Sequence, residues 1–252
     1  MAFFQPPTRN LVLVMVILTG GAITAASFYY RDVNRSVDPR IKPARELYEK
    51  YNDYATRNAF DSVFFLMDTI ESIYRTVPHY RNSYETGVLY NNRAAAYLTM
   101  MLHEEKLTAE ERDSLARKAG EAARRSIRIY LEWTRRYGSL PADSLEAVIR
   151  EDFLDGLRDY PPKKQEKFLE TRTREIREAQ VETARRQSVS YTNLGIVYRH
   201  HARYDSAALC YQRAMELWDR NLTAENNLNR LLNRPLKKRN LLQKLFPPER
   251  ID

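Results

Sequence analysis

Residues 190–218 decide the fold, and they read SYTNLGIVYRHHARYDSAALCYQRAMELW. Apolar and small residues recur there every three or four positions, which predicts two amphipathic helices. Gly195 lies inside the first of them, where glycine costs about 1 kcal/mol relative to alanine. We therefore expect the partner helix to approach closely at Gly195, with small residues such as Ala207 and Ala214 allowing the same approach from the second helix.

Seven residues in this stretch have the spacing of a tetratricopeptide repeat, and the stretch resembles that family. This repeat-packing signature consists of Tyr191, Leu194, Gly195, Tyr198, Ala207, Tyr211 and Ala214. The family pattern ends with a proline after the second helix, whereas Asp219, Arg220 and Asn221 stand here. The resemblance implies an all-α fold in which helical hairpins stack into a short solenoid.

A second, degenerate copy is expected 144 residues upstream, where residues 59–63 (AFDSV) mirror residues 203–207 (RYDSA). Asp61 and Asp205 stand where a helix N-cap is expected. Tyr51 replaces the glycine inside the first helix. The copy therefore keeps the hairpin pattern while its packing residues differ.

A third copy begins at residues 89–98 (LYNNRAAAYL), where the first-helix spacing is held by Tyr90, Arg93, Ala94 and Tyr97. Its second helix is expected after a capping box at residues 108–111. Residues 141–158 predict a further amphipathic helix. Residues 163–186 are highly charged and predict a solvated or extended helix that leads into the last repeat.

Composition agrees with a helical protein of one domain plus one membrane segment. The 252 residues contain seven glycines, seventeen tyrosines and one cysteine, Cys210. A single cysteine excludes an internal disulfide framework and a multi-cysteine metal site, and its apolar neighbours indicate a small core residue. The predicted organisation is a tail over 1–10, an anchor over 11–30, a linker over 31–43, a repeat domain over 44–234 and a basic tail over 235–252.

The N-terminal segment predicts a transmembrane anchor. Residues 11–28 carry no charge, and eighteen helical residues span about 27 Å, which is near the hydrocarbon thickness of a bilayer. Tyr29 and Tyr30 follow as an interfacial aromatic pair. The alternative is a cleavable signal peptide, because residues 24–27 are small, but the apolar run exceeds the usual ~7–15 residues.

Two orientations of the body remain open. Five basic residues follow the anchor within fifteen positions, which by the positive-inside rule would place the body in the cytoplasm. The short N-terminal tail instead has the shape of a secretion signal, which in a bacterium leaves the body outside the inner membrane. We favour a single-pass protein of the bacterial inner membrane with a periplasmic repeat domain.

The positive charge is concentrated at the C-terminus. The chain has a net charge of +8, and residues 230–252 hold seven basic and two acidic residues. Apolar residues at helical spacing, Leu241, Leu242, Leu245 and Phe246, follow the basic cluster. The tail is therefore interpreted as an end cap for the repeats, or alternatively as an arm that binds a membrane or a partner.

Local motifs for catalysis are sparse. The sequence has no glycine-rich phosphate loop, and His79 and His103 are isolated. His200 and His201 are adjacent and would diverge by about 100° on a helix, which makes a poor chelating pair. We therefore expect no catalytic residue, no metal ion and no cofactor, and hence no enzyme.

Protein binding is the favoured function, because the first helices of stacked hairpins line an extended groove. The residues expected in the groove are Arg45, Tyr48, Asn52, Asn92 and Asn193, since asparagine side chains can hydrogen-bond a peptide backbone. The leading hypothesis is an adaptor or scaffold in a cell-envelope assembly. The alternatives are an anionic-lipid or nucleic-acid binder that uses the basic tail, with nucleic acid the less favoured partner, and an enzyme with a nonlocal site.

Removal of residues 1–35 is predicted to leave a soluble, helical body, because the repeats supply their own core. Far-ultraviolet circular dichroism of the truncated chain should be dominated by helix. A sheet-dominated spectrum, or aggregation of every truncation that starts between residues 31 and 43, would contradict this prediction.

Overall fold

The computed structural model describes residues 37–238, and these residues form an all-α fold. The predicted fold class is confirmed at this level, since the described range contains eight α-helices and no strand. The helices are α1 Lys42–Thr56, α2 Phe60–Thr76, α3 Tyr84–His103, α4 Ala109–Tyr137, α5 Ala142–Leu154, α6 Pro162–His200, α7 Tyr204–Leu217 and α8 Leu222–Leu231, with a 3-10 turn at Pro78–Tyr80.

The predicted membrane anchor, residues 11–30, lies outside the described residues, as does the C-terminal tail beyond residue 238. Between residues 37 and 238, no helix combines the length and the apolarity needed to cross a membrane.

The helices pack as three hairpins, α1–α2, α3–α4 and α6–α7. Helix α6 has 39 residues and is therefore about 58 Å long. Its first half packs with α5 in the core cluster that contains Phe168 and Ile176, and its second half packs with α4 and α7 around Leu194. One long helix thus joins the two ends of the fold.

The turns of the first and third hairpins have the same backbone geometry. Asn58 and Ala202 stand 144 residues apart and both adopt positive φ, 54° and 55°. In each turn the following amide, of Ala59 or Arg203, donates to the carbonyl oxygen of the tyrosine five residues earlier, at 3.0 and 2.9 Å. This is the six-to-one hydrogen bond of a Schellman motif, which stops the first helix and redirects the chain.

The predicted N-caps are corrected, because each helix begins earlier and its N-cap lies two residues before the expected aspartate. Asp61 and Asp205 are the second residues of α2 and α7, and the N-cap positions belong to Ala59 and Arg203. The positive-φ residues Asn58 and Ala202 end the turn, and the helices begin two residues later, at Phe60 and Tyr204. The aspartates instead lie in the first turn, where a negative charge is favourable at the positive end of the helix dipole.

The expected close approach at Gly195 is present. A Cβ atom at Gly195 would lie 2.5 Å from Cε1 of Tyr211, and a Cβ atom at Gly87 would lie 2.6 Å from Cε1 of Tyr130. Both distances are far below a van der Waals contact, so neither position accepts a side chain. The other signature residues on α7, Ala207 and Ala214, are fully buried, as is the ring of Tyr211.

The described part of the predicted linker is packed against the body. Asp38 is 4% exposed and Ile41 is completely buried. Arg40 pairs with Asp38 and also donates to the carbonyl oxygen of Phe153 at 2.9 Å. The packed body therefore includes residues 38–41, because hydrogen bonds to the end of α5 hold a segment whose sequence is polar and proline-containing.

The charged stretch 163–186 was predicted as a solvated or extended helix. It is part of the continuous helix α6, which runs into the last hairpin, but it is partly buried and not solvated. The first half of α6 buries Phe168, Leu169 and Ile176, and the charged Arg172 is only 3% exposed. At the other end of the fold, the backbone of Lys237 forms two hydrogen bonds, of 2.8 and 2.9 Å, with the side chain of Asn226. The start of the basic tail is thus folded back onto α8.

Leucine at Gly195 is predicted to destabilise the fold by about 1–3 kcal/mol, because the side chain overpacks against Tyr211. This loss outweighs the gain of up to ~1 kcal/mol in helix propensity. Thermal unfolding of Gly195→Leu and Gly87→Leu should show a lower midpoint than the wild type. Ala184→Leu is the matched control, since Ala184 is exposed on α6 and should change the midpoint little. An unchanged midpoint for Gly195→Leu would contradict the close helix contact.

Candidate functional site: a groove between α1, α2, α3 and α6

A groove of about 410 Å³ opens where the first halves of α3 and α6 meet α1 and α2. Three tyrosines from three different helices contribute its aromatic surface, and arginines and glutamates supply the rest. Its lining residues are Arg45, Tyr48, Tyr74, Tyr84, Glu85, Val88, Glu175, Glu178, Ala179, Glu182, Arg185 and Arg186.

The floor of the groove is held by the buried guanidinium of Arg172. Its terminal nitrogens bond Glu85 on α3 at 2.5 Å and Glu175 on its own helix at 3.2 Å. Its Nε donates to Nε2 of His79 at 3.0 Å, and its carbon lies 4.4 Å from the ring centre of Tyr80. A buried cation is tolerated because its donors and its faces are both occupied.

Glu85 remains ionised in this setting. Burial by itself raises the pKa of the Glu85 carboxyl, but the charge and hydrogen bonds of Arg172 outweigh it and lower the pKa to about 2. Glu85 therefore stays a carboxylate at any physiological pH. It acts as a fixed counter-ion and not as a proton donor.

His79 connects this cluster to α5. Burial, followed by the nearby charge of Arg172, lowers the pKa of His79 to about 4, so the ring is neutral near pH 7. Since its Nε2 accepts from Arg172, its Nδ1 carries the proton and donates to Asp152 at 3.1 Å. Asp152 is also paired with Arg136 at 3.3 Å, which extends the polar chain to the surface.

Arg45 and Tyr48 form the α1 wall of the groove. The guanidinium of Arg45 pairs with Glu175, so α1 is tied to α6 through the same carboxylate that contacts Arg172. The hydroxyl of Tyr48 accepts a hydrogen bond of 2.8 Å from Nδ2 of Asn92. These two contacts fix the distances between α1, α3 and α6 across the groove.

Arg186 keeps a donor that the described residues do not satisfy. It lies on the groove wall together with Tyr84. Its Nε is buried without a hydrogen-bond partner. A buried N–H without an acceptor costs about 1–3 kcal/mol, and a bound segment supplies an acceptor only if the Arg186 side chain rotates to present this N–H to the groove.

The structure brings together part of the predicted groove set. Arg45 and Tyr48 line the groove, and Asn92 positions Tyr48. Asn52 is exposed on α1 and is not among the lining residues. Asn193 is 8% exposed and donates to Oδ1 of Asn91 at 3.1 Å, so its amide is used between α3 and α6.

Arg172, Arg186 and Glu85 were not predicted as site residues. The first two lie in the charged stretch 163–186, which was interpreted as a solvated or extended helix. One signal was available for Arg172. It lies four residues after Phe168 and four before Ile176, and this spacing puts it on the apolar face of the helix. No comparable local signal marks Glu85, whose partner comes from 87 positions away.

Replacing His79 with glutamine is predicted to flatten the pH dependence of stability. Between pH 6.5 and about 4 the unfolded chain binds a proton at His79 that the folded chain does not. The free energy of unfolding that neutral His79 contributes is therefore fully present above pH 6.5, and it decreases as the pH falls toward 4. On moving from pH 7 to pH 4.5, the wild type should lose about 2–3 kcal/mol more than His79→Gln.

Urea denaturation at the two pH values measures this difference. His103→Gln is the control, because His103 is exposed at the end of α3. This variant should lose as much unfolding free energy between pH 7 and pH 4.5 as the wild type. Equal losses in the wild type and in His79→Gln would show that His79 titrates normally.

Comparison of the chain with protein-family models, with curated proteins and with solved structures found no match. Its function is therefore inferred from the arrangement of its own side chains.

Proposed function

We propose that this chain is a tetratricopeptide-type adaptor that is anchored in the bacterial inner membrane by residues 11–30. Its helical hairpins stack as a short solenoid, and its groove binds a segment of a partner protein in a cell-envelope assembly. The shared turn geometry at Asn58 and Ala202 supports the repeat assignment. The glycine-to-tyrosine contacts at Gly87 and Gly195 support it as well.

The observation that carries the binding function is the lining of the groove. Tyr48, Tyr74 and Tyr84 offer rings that can pack on side chains with little loss of conformational entropy. Arg186 adds a guanidinium to the same wall. Rings combined with a few fixed donors suit an extended peptide, whose backbone carbonyls accept hydrogen bonds at regular intervals.

The charges of the groove favour an internal peptide segment over a free C-terminus. A terminal carboxylate needs a clamp of uncommitted cations. Here Arg45 is committed to Glu175, and Arg185 is committed to Glu182 at 2.5 Å. The lining also carries four glutamates against three arginines, which disfavours an extra negative charge.

An enzyme is the second candidate, because several ionisable groups converge in the groove. General acid–base catalysis requires a group whose pKa lies near the working pH. Glu85 is instead held as a carboxylate by Arg172, and His79 is held neutral behind the groove. The buried ionisable groups serve as a rigid support, which favours binding over catalysis.

The third candidate, binding of anionic lipid or nucleic acid, depends on the basic cluster Lys237, Lys238, Arg239 and Lys244. Within the described residues, Lys237 pairs with Glu225 at 2.5 Å while Lys238 is exposed. This candidate would be favoured if the affinity for anionic lipid or nucleic acid falls steeply with rising salt. Deletion of residues 235–252 should then abolish the binding.

Photocrosslinking from the groove tests the adaptor function. A benzophenone amino acid at Glu178, an exposed residue of the lining, should crosslink a discrete protein in intact membranes. The same group at Glu132, which is exposed on α4 outside the lining, should not. Arg186→Gln should reduce the crosslink at least about fivefold, since one charge-assisted hydrogen bond is worth roughly 1.5–3 kcal/mol.

Arg174→Gln is the matched control, because Arg174 is exposed on the same helix and does not line the groove. It should leave the crosslink unchanged. Equal crosslinking from Glu178 and Glu132, or an Arg186→Gln variant that folds and crosslinks like the wild type, would contradict binding in the groove.

A further inference from the structure

A second cluster of functional side chains lies at the far end of α6, away from the groove. Asp113 projects from the start of α4, His200 is the last residue of α6 and His201 follows it. One ligand atom from each of the three lies within 4.8 Å of the other two. Two imidazoles from adjacent residues and a carboxylate from α4 therefore lie close together.

One separation in this cluster matches that of two ligands on a small metal ion, and the pair that makes it is also placed to form an ion pair. Oδ1 of Asp113 and Nδ1 of His201 are 3.2 Å apart. Two ligand atoms at about 2.0–2.1 Å from one tetrahedral zinc ion are separated by ~3.3 Å. The two imidazole centres are 5.2 Å apart with their planes inclined by 72°, so both rings can turn a nitrogen toward the same point without stacking.

Adjacent histidines on an ideal helix would diverge by about 100° and could not share an ion easily. Helix α6 ends at His200, and His201 has φ −83° and ψ 16°, which departs from helical ψ. The chain then turns at Ala202 with positive φ. Because the helix ends here and α4 supplies Asp113, the two histidines and the aspartate lie close together. The local sequence does not indicate this arrangement.

The surroundings contain one favourable charge and two cations, Arg117 and Arg112, that oppose a bound metal ion. The C-terminal end of α6 carries the negative pole of a 39-residue helix, which favours a cation. Arg117 pairs with Oδ2 of Asp113 and competes with a metal for this carboxylate. The neighbouring Arg112 is engaged elsewhere, donating to the carbonyl oxygens of Met101 and Glu104 at 2.6 and 2.7 Å.

We propose that Asp113, His200 and His201 form a binding site for a divalent zinc ion. Neutral imidazoles with one carboxylate are a ligand set that zinc prefers, and water completes the coordination. Because the ligands come from α4 and from the α6–α7 turn, the bound ion joins the second hairpin to the third. Zinc then stabilises the folded body in proportion to its occupancy.

Calorimetric titration of the untagged full-length chain, purified in detergent and stripped with EDTA, tests this site. Zn²⁺ should bind at one equivalent and raise the thermal midpoint, and Co²⁺ should give the visible absorption of a protein-bound ion. The double variant His200→Ala/His201→Ala should bind at least about tenfold more weakly, since even outer-shell changes cost 10–100-fold.

Two single variants sharpen the test. His103→Ala removes the other exposed histidine and should leave the affinity unchanged. Arg117→Gln frees the second oxygen of Asp113 and should tighten binding. Should the double variant lose helix by circular dichroism, Asp113→Asn replaces it and should weaken binding comparably.

Three results would overturn the proposal. One is the absence of saturable zinc binding to the full-length chain. Another is the same affinity and the same cobalt spectrum in the folded ligand variants. The last is equal weakening by His103→Ala, which would place the ion elsewhere.

Discussion

The buried guanidinium of Arg172 is the interaction on which the groove depends. It joins the 3-10 turn, through His79 and Tyr80, to α3 through Glu85 and to α1 through the shared Glu175. Removing one member would leave a charge buried without its partner, which typically costs about 3–5 kcal/mol. The helices that form the groove therefore cannot shift independently.

Close packing of a small residue against a large one joins the helices of the second and third hairpins. Gly87 and Gly195 each admit a tyrosine ring from the second helix of the hairpin. In the first hairpin the equivalent positions, at an offset of 144 residues, are Tyr51 and Met67. In this hairpin the large ring lies on the first helix and the flexible methionine lies on the second. The order of small and large residues is thus reversed relative to Gly195 and Tyr211.

Helix α6 positions both candidate sites. Groove residues up to Arg186 lie in its first two thirds, and His200 ends it, about 21 Å farther along the axis. A long continuous helix curves only gently unless a proline, a glycine or a bulge kinks it. The groove and the proposed zinc site are thereby held at a fixed separation, although they share no side chain.

The sequence by itself determined the helical class, the hairpin spacing, the close contact at Gly195 and the capping box at Thr108 and Glu111, which the structure contains. These features depend on neighbours within one or two helical turns, so local periodicity reveals them. Tertiary structure alone decided that Arg172 pairs with Glu85, that Asn193 faces α3 and that Asp113 meets His200 and His201. A charged side chain at helical spacing has the same local pattern in solvent and in a buried pair, because its partner comes from a distant part of the chain.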